Sequence, residues 1–255
     1  METILLEING NVAKVTFNRP NALNALNKQM LVELDTIITN IGNDPKIKYI
    51  IFIGVGKAFI AGADIAEMSD MSHEEAVAYG RLGAGIFRKI ELLDKITIAL
   101  VNGYCLGGGA ELAMACDMRI CSLNAKFGQP EVTLGITPGF SGTVRLPRLI
   151  GIAKAKELLY TGKVIDANDA LIMGLVTSVV STNGLAEAGE NIISSLEKNS
   201  FNALIHIKKM LSEGMDAPID DAIELENIYF AKCFNHNDQK EGMKAFLEKR
   251  KANFE

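Results

Sequence analysis

The chain of 255 residues is short of the groups that build metal sites and disulfide frameworks. Its four cysteines, Cys105, Cys116, Cys121 and Cys233, show no CxxC spacing, so a bound metal is not expected and free thiols in a reducing compartment are. Cys105 and Cys116 lie in or beside apolar segments, where a thiol behaves as a small hydrophobe. No apolar run approaches the roughly 18 to 20 residues that span a bilayer. The start, Met1-Glu2-Thr3-Ile4-Leu5, lacks the basic-then-apolar pattern of a signal peptide, and a cytoplasmic protein is the expectation. Nor is there an excess of positive charge: 26 Lys and Arg against 31 Asp and Glu give −5, which argues against nucleic acid as the main partner. Ser/Gly/Pro-rich linkers, internal repeats and low-complexity segments are absent. What remains reads as one α/β catalytic body, residues 1–183, with a helical extension, residues 184–255; at 48% hydrophobic residues the chain has ample material for a core.

What is present is concentrated between Asn102 and Arg148. The run Thr97-Ile98-Ala99-Leu100-Val101 reads as a strand, and Ala110 to Ala115 is a set of good helix formers, so Gly107-Gly108-Gly109 falls where a strand turns into a helix. Three glycines together are costly in backbone entropy, which implies that something approaches the main chain there. The free N–H groups of a first helical turn carry partial positive charge and stabilise a developing anion. Glu111 stands one turn in, and Glu131 follows about twenty residues later in Gln-Pro-Glu, on a loop stiffened by Pro130. Two carboxylates beside a nest of amides point to acid/base chemistry on a carbonyl compound. Taken singly, each has a plainer explanation: a glycine turn for helix packing, and a first-turn Glu as a solvated partner of the helix dipole.

Elsewhere the pattern supports alternating strands and helices. Glu2 to Ile8 and Val12 to Asn18 flank Asn9-Gly10-Asn11 as a hairpin. Asn27 is a candidate N-cap for a helix with the stripe Leu31, Leu34, Ile37, Ile38, Ile41. Ile47 to Gly54 reads as a strand covered on both faces, and about Glu74 to Leu93 as a helix. Met118 to Ser122 is a strand, Gly142 to Leu146 a short helix start, Ile152 to Thr161 a helix closed by Gly162, and Ala167 to Met173 a helix capped by Asp166. Val176 to Val180 makes the last strand. Helices are expected over Leu185 to Lys198, Asn202 to Glu213, Ile219 to Phe234 and Gln239 to about Lys251.

The segments AGADI (Ala61 to Ile65), NGYCLGGGAELAMACD (Asn102 to Asp117), FGQPE, GITPGFSGT and EGMKAFLEKRKANF (Glu241 to Phe254) resemble the crotonase superfamily, and within it the short-chain enoyl-CoA hydratases; the resemblance runs from Asn18 to the C-terminus. It implies a spiral of repeated β-β-α units with a helical C-terminal extension used in trimerisation, the trimers commonly stacked as hexamers. It implies an oxyanion hole from the N–H groups of Ala63 and Gly108, with Glu111 and Glu131 holding a water between them. It places Ala61, Asp64, Ile65 and Gly139 beside the thioester, keeps Lys57 as a phosphate partner, and brings Phe246 and Lys249 to the adenine end of CoA, in some members from a neighbouring subunit. No cofactor is implied, since CoA belongs to the acyl-CoA thioester substrate. His73, His206 and His236 match no catalytic position. Ala66 stands where a Lys is frequent, and a phosphate contact from that position is lost. Cys105, Ala110, Ser141 and Val144 are milder departures. GITPGF with FRKIELLDK (Phe87 to Lys95) looks most like bacterial butyrate- and butanol-pathway members acting on C4 esters. Enoyl-CoA isomerisation stays open as an alternative reaction, and so does a non-catalytic member that binds RNA or protein.

Overall fold

The computed structural model describes residues 1–254. The chain enters through an antiparallel hairpin, β1 (Ile4–Asn9) and β2 (Val12–Phe17), turning at Gly10 with φ +59°. Helix α1 (Lys28–Asn43) follows, its N-cap Asn27 accepting the Met30 N–H, and it buries the expected stripe from Leu31 to Ile41. Three pairs of strands then succeed one another: β3 (Tyr49–Gly54) with β4 (Ala58–Ala61), β5 (Ile96–Val101) with β6 (Tyr104–Leu106), and β7 (Met118–Ser122) with β8 (Lys126–Gly128). After the first pair come the short α2 (Ile65–Met68) and the long α3 (His73–Leu92); after the second, α4 (Gly108–Ala115); after the third, α5 (Gly142–Ile150) and α6 (Ile152–Thr161). The turn of the chain closes with β9 (Ile165–Asp166), α7 (Ala167–Ile172) and β10 (Ser178–Val180).

The first strand of each pair joins a large sheet of order β1-β2-β3-β5-β7-β10, parallel from β2 onward, and the second joins a small sheet of order β4-β6-β8-β9. This is the β-β-α spiral that the resemblance implied. Side chains alternate along a strand, so β3 feeds two cores at once. Ile50 and Phe52 face the core between the two sheets with α1, α3 and α4, whereas Tyr49 and Ile51 face the helices outside the large sheet. That double coverage accounts for the nearly continuous apolar run of β3.

The outer cover comes from α8 (Leu185–Leu196) and α9 (Phe201–Gly214), followed by α10 (Ile219–Cys233) and α11 (Asn237–Leu247). A buried cation pins α9 to the sheet: Lys208 Nζ donates to the Lys95 carbonyl at 2.8 Å and to Asp117 Oδ2 at 2.9 Å. The same Asp117 oxygen accepts from the Thr97 N–H and hydroxyl. Large apolar side chains remain exposed on α10 and α11, among them Ile219, Ile223, Phe230 and Phe246.

One expected boundary moves in an instructive way. The short helix start expected over Gly142 to Leu146 continues through Pro147 to Ile150. Proline removes one N–H, and the carbonyl it would have satisfied belongs to Thr143, an exposed residue that water can serve.

Candidate active site

The site is assembled where two turns meet. Strand β6 ends at Leu106 and α4 begins at Gly108, with Gly107 between them in a conformation (φ +47°, ψ −123°) open to glycine alone. Its N–H donates to the Gly128 carbonyl at 2.9 Å, tying the turn to β8. Two positions on, a Cβ at Gly109 would stand 2.1 Å from the Ile60 carbonyl oxygen, so α4 lies directly on β4. On the other side β4 runs out into Gly62 and Ala63. Ala61 pairs with Leu106, and the Gly62 Cα lies 3.5 Å from where a Cβ on Gly107 would be. The register of β4 on β6 therefore sets Ala63 beside Gly108.

Both amides are left for a ligand. The bridge between Leu26 and Ala63 uses the Leu26 N–H onto Gly62 O at 2.9 Å and the Asp64 N–H onto Leu26 O at 2.7 Å, passing over the Ala63 N–H. Gly108 is the first residue of α4, where the helix itself supplies no acceptor. Two N–H groups from separate elements, one at a helix N-terminus, are donors of the kind that stabilise an oxyanion.

The two carboxylates come from different surroundings. Glu111, 1% exposed on the first turn of α4, places Oε1 between the N–H groups of Phe140, at 2.8 Å, and Gly142, at 2.6 Å. Burial pushes its pKa up to about 7; the Gly142 amide opposes the rise, the Glu131 charge adds to it, and Phe140 and Arg145 oppose it. A carboxyl balanced near neutrality can take and return a proton. Glu131 lies in the single turn Pro130–Leu134, half-buried, and burial raises its pKa as well. Its Oε1 comes within 2.7 Å of the space a side chain on Gly107 would fill, which sets it over the same turn that carries the Gly108 amide.

Two residues outside the expected set complete the group. Gln129 stands 3.1 and 3.2 Å from the two Glu131 oxygens with its Nε2 turned toward them, and turned the other way Nε2 reaches the Gly107 carbonyl at 3.3 Å. Phe140 fills the floor, its ring against Tyr79 and Phe87 at 5.3 and 5.5 Å between centroids and close to Gly108. Gln129 sits inside the FGQPE motif, where a polar residue two before the Glu131 carboxylate was its only signal.

The remaining expected positions divide. Ala61, Asp64 and Ile65 surround the Ala63 amide, and Arg19 Nη2 holds Asp64 Oδ2 at 3.0 Å while its Nη1 donates to the Ala25 carbonyl. Gly139 directly precedes Phe140 and is exposed. Lys57 is exposed just before β4. Phe246, 82% exposed, lies in the last turn of α11, and Lys249 follows the helix at φ +56°. Cys105, Cys116 and Cys121 are buried, and His206 packs on Tyr229 with its Nδ1 3.3 Å from Cys233 Sγ.

A β-β-α spiral that sets two amides, a buried carboxylate and a half-buried one around one turn defines an acyl-thioester enzyme scaffold. The chain belongs to the enoyl-CoA hydratase/isomerase family, whose sequence model matches residues 7–255. It is 48% identical over 252 residues to the short-chain-enoyl-CoA hydratase of Clostridium acetobutylicum, covering 98% of this chain and 97% of that one. It is 50% identical over 254 residues to the crotonyl-CoA hydratase of Syntrophomonas wolfei, covering 99% and 98%. Among solved structures, an enoyl-CoA hydratase from Bacillus anthracis superposes with a TM-score of 0.95 at 36% identity, covering 99% of this chain and 98% of that one.

Proposed function

We propose that the protein catalyses the reversible syn hydration of short-chain trans-2-enoyl-CoA thioesters, crotonyl-CoA in particular, to 3-hydroxyacyl-CoA. The observation that carries this reading is Glu111. Two amides grip one of its oxygens, which leaves the other for a water, while Glu131 faces the same space from across the Gly107 turn. Members of a scaffold that only polarise a thioester need one such acid or none; addition of water needs both.

The thioester oxygen accepts from the Ala63 and Gly108 N–H groups, where enolate charge accumulates. Loss of one such donor typically costs about 2.7 to 4 kcal/mol of transition-state stabilisation. Glu111 orients and activates water for attack at C3, and Glu131 delivers a proton to C2. The O–H bond of water breaks as the C3–O bond forms, its proton passing to ionised Glu111 while C2 takes the proton that Glu131 held, and dehydration runs the same steps backward. Two neighbouring carboxylates, Glu111 buried and Glu131 half-buried, share protons as a pair, which suits a cycle in which one is ionised while the other holds a proton. The reading calls on no cofactor, because CoA arrives with the substrate.

Around this centre, Ala61, Asp64, Ile65 and Gly139 border the thioester, Lys57 meets CoA phosphate, and Phe246 and Lys249 of an adjacent subunit reach the adenine. That last contact rests on a homotrimer, or a hexamer of two trimers, assembled through the region 184–255 on the spiral core 1–183. The physiological direction is dehydration of 3-hydroxybutyryl-CoA in a butyrate-type or fatty-acid pathway in the cytoplasm. The deciding experiment follows the conjugated-thioester absorbance when the purified protein meets crotonyl-CoA or a longer trans-2-enoyl-CoA. Rapid loss favouring the C4 ester supports the reading; measurable CoA-ester binding with no loss from either ester overturns it.

A further inference from the structure

We propose that Arg145, anchored by Glu91, is a positioning residue that holds the Phe140–Gly142 turn around Glu111 and supplies the positive charge behind it. The proposal rests on the hydratase reading above. Arg145 lies in the first turns of α5 and is 7% exposed. Its Nη1 donates to the Phe140 carbonyl at 3.2 Å and its Nη2 to Glu91 Oε2 at 3.0 Å, whereas Nε has no acceptor among the described residues. A buried guanidinium so sparingly paired is costly, and packing alone does not call for a charge.

What it grips explains its place. The Phe140 N–H and the Gly142 N–H converge on one oxygen of Glu111, and the Phe140 carbonyl lies between them along the chain. Rotation about the Phe140 Cα–C bond would part the two donors; the bond from Arg145 to that carbonyl blocks the rotation. The intervening Ser141 is held at φ +85°, a conformation that non-glycine residues adopt only under constraint. Glu91, on the last turn of α3, fixes the guanidinium and is itself shared with Arg88 at 2.7 Å.

The charge has a clear target. The elements packed on α4 are α3, α5, β4 and β6. Buried on these elements are Tyr79 of α3, Arg145 of α5 and the Cys105 thiol of β6, with Glu91 and Lys89 of α3 half-buried; His73, Glu74, Glu75, Arg81 and Arg88 of α3, Arg148 of α5 and Tyr104 of β6 are exposed, and β4 brings no titratable group. Glu131 faces Glu111 from its own turn. Arg145 is thus the buried cation of the set, and it acts against the rise that burial, above all, imposes on Glu111.

The test is the pH dependence of crotonyl-CoA hydration by the intact enzyme carrying Arg145→Met, Arg145→Lys or Glu91→Gln, with rates normalised to folded protein. Loss of positioning is expected to lower kcat about tenfold to a hundredfold in Arg145→Met, with KM changed far less and partial rescue in Arg145→Lys. The acidic limb, set by ionisation of Glu111, is expected to move to higher pH in Arg145→Met, which loses the cation, and to lower pH in Glu91→Gln, which leaves it uncompensated. Opposite shifts are the signature of charge. Both limbs staying on the wild-type limb, or moving the same way, overturns the proposal, and Glu91→Gln alone decides if Arg145→Met does not fold. Should wild type itself fail to hydrate crotonyl-CoA, the same shifts are read from the infrared carboxyl band that Glu111→Gln removes, separating the two failures.

Discussion

The carboxylate of Glu131 occupies the space that a side chain on Gly107 would need, its Oε1 falling 2.7 Å from the ideal Cβ position. The glycine that lets the chain turn from β6 into α4 therefore also makes room for the acid that faces Glu111.

Replacing Gly107 by Ala should inactivate the enzyme out of proportion to its effect on folding. The backbone at φ +47° strains any residue with a Cβ, at a cost of about 1 to 3 kcal/mol. The methyl also displaces Glu131 and tilts the Gly108 amide. Thermal unfolding should show a moderate loss, whereas crotonyl-CoA turnover should fall at least a hundredfold. Near-normal turnover would mean that Glu131 works from another position.

Glu111→Gln and Glu131→Gln should each lower kcat by several orders of magnitude while binding of a CoA ester, followed by calorimetry, persists. General acid–base catalysis alone contributes about 10² to 10⁴. Gln129→Leu removes the amide that Glu131 and the Gly107 carbonyl compete for, and is expected to cost roughly tenfold in kcat, in line with the loss of one hydrogen bond to a charged group. A variant of either glutamate with wild-type turnover would remove that residue from the mechanism.

These expectations also mark what the sequence made legible. The glycine turn, the first-turn Glu111 and the capped α1 follow from local chemistry, because a strand, three glycines and a helix are adjacent along the chain. The pairing of Ala63 with Gly108 was legible only through resemblance, since it depends on the register of β4 on β6. Arg145 and Glu91 are 54 residues apart and meet only because α5 packs near the end of α3; a single Arg in GTVRLPR carries no such signal. Phe246 and Lys249 were assigned by resemblance alone, since an exposed aromatic and a basic residue near a helix end carry no local signal of a ligand.

The Lys208–Asp117 pair predicts how the C-terminal helices depend on the sheet. Lys208 is buried, and its ammonium spans the Lys95 carbonyl and an Asp117 oxygen already engaged by Thr97. Lys208→Met should destabilise the protein by about 1 to 3 kcal/mol, because the part-exposed Asp117 carboxylate loses its cation and keeps only the Thr97 donors, while the Lys95 carbonyl loses its donor. Denaturant unfolding measures this. The double variant Lys208→Met, Asp117→Asn should recover part of the loss; no recovery would show that packing of the Lys208 stem, not charge, holds α9 in place.

The proton affinity of Glu111 makes a separate prediction about stability. Its pKa rises from an ordinary 4.5 to about 7 in the folded chain, chiefly through burial, so the folded state binds the proton more tightly than the unfolded one. Below the ordinary value both states are protonated and Glu111 imposes no penalty. As pH climbs through that window the unfolded chain ionises first, and folding stability falls; above about 7 the loss is complete, on the order of 3 kcal/mol by linkage. Glu111→Gln keeps an oxygen for the Phe140 and Gly142 amides but has no proton to lose. It should therefore unfold at a higher temperature than wild type at pH 8, with the advantage shrinking as pH falls toward 4.5. An advantage that stays constant across this range would show that Glu111 does not bind its proton more tightly in the fold, and that its two amides, rather than burial, govern its ionisation.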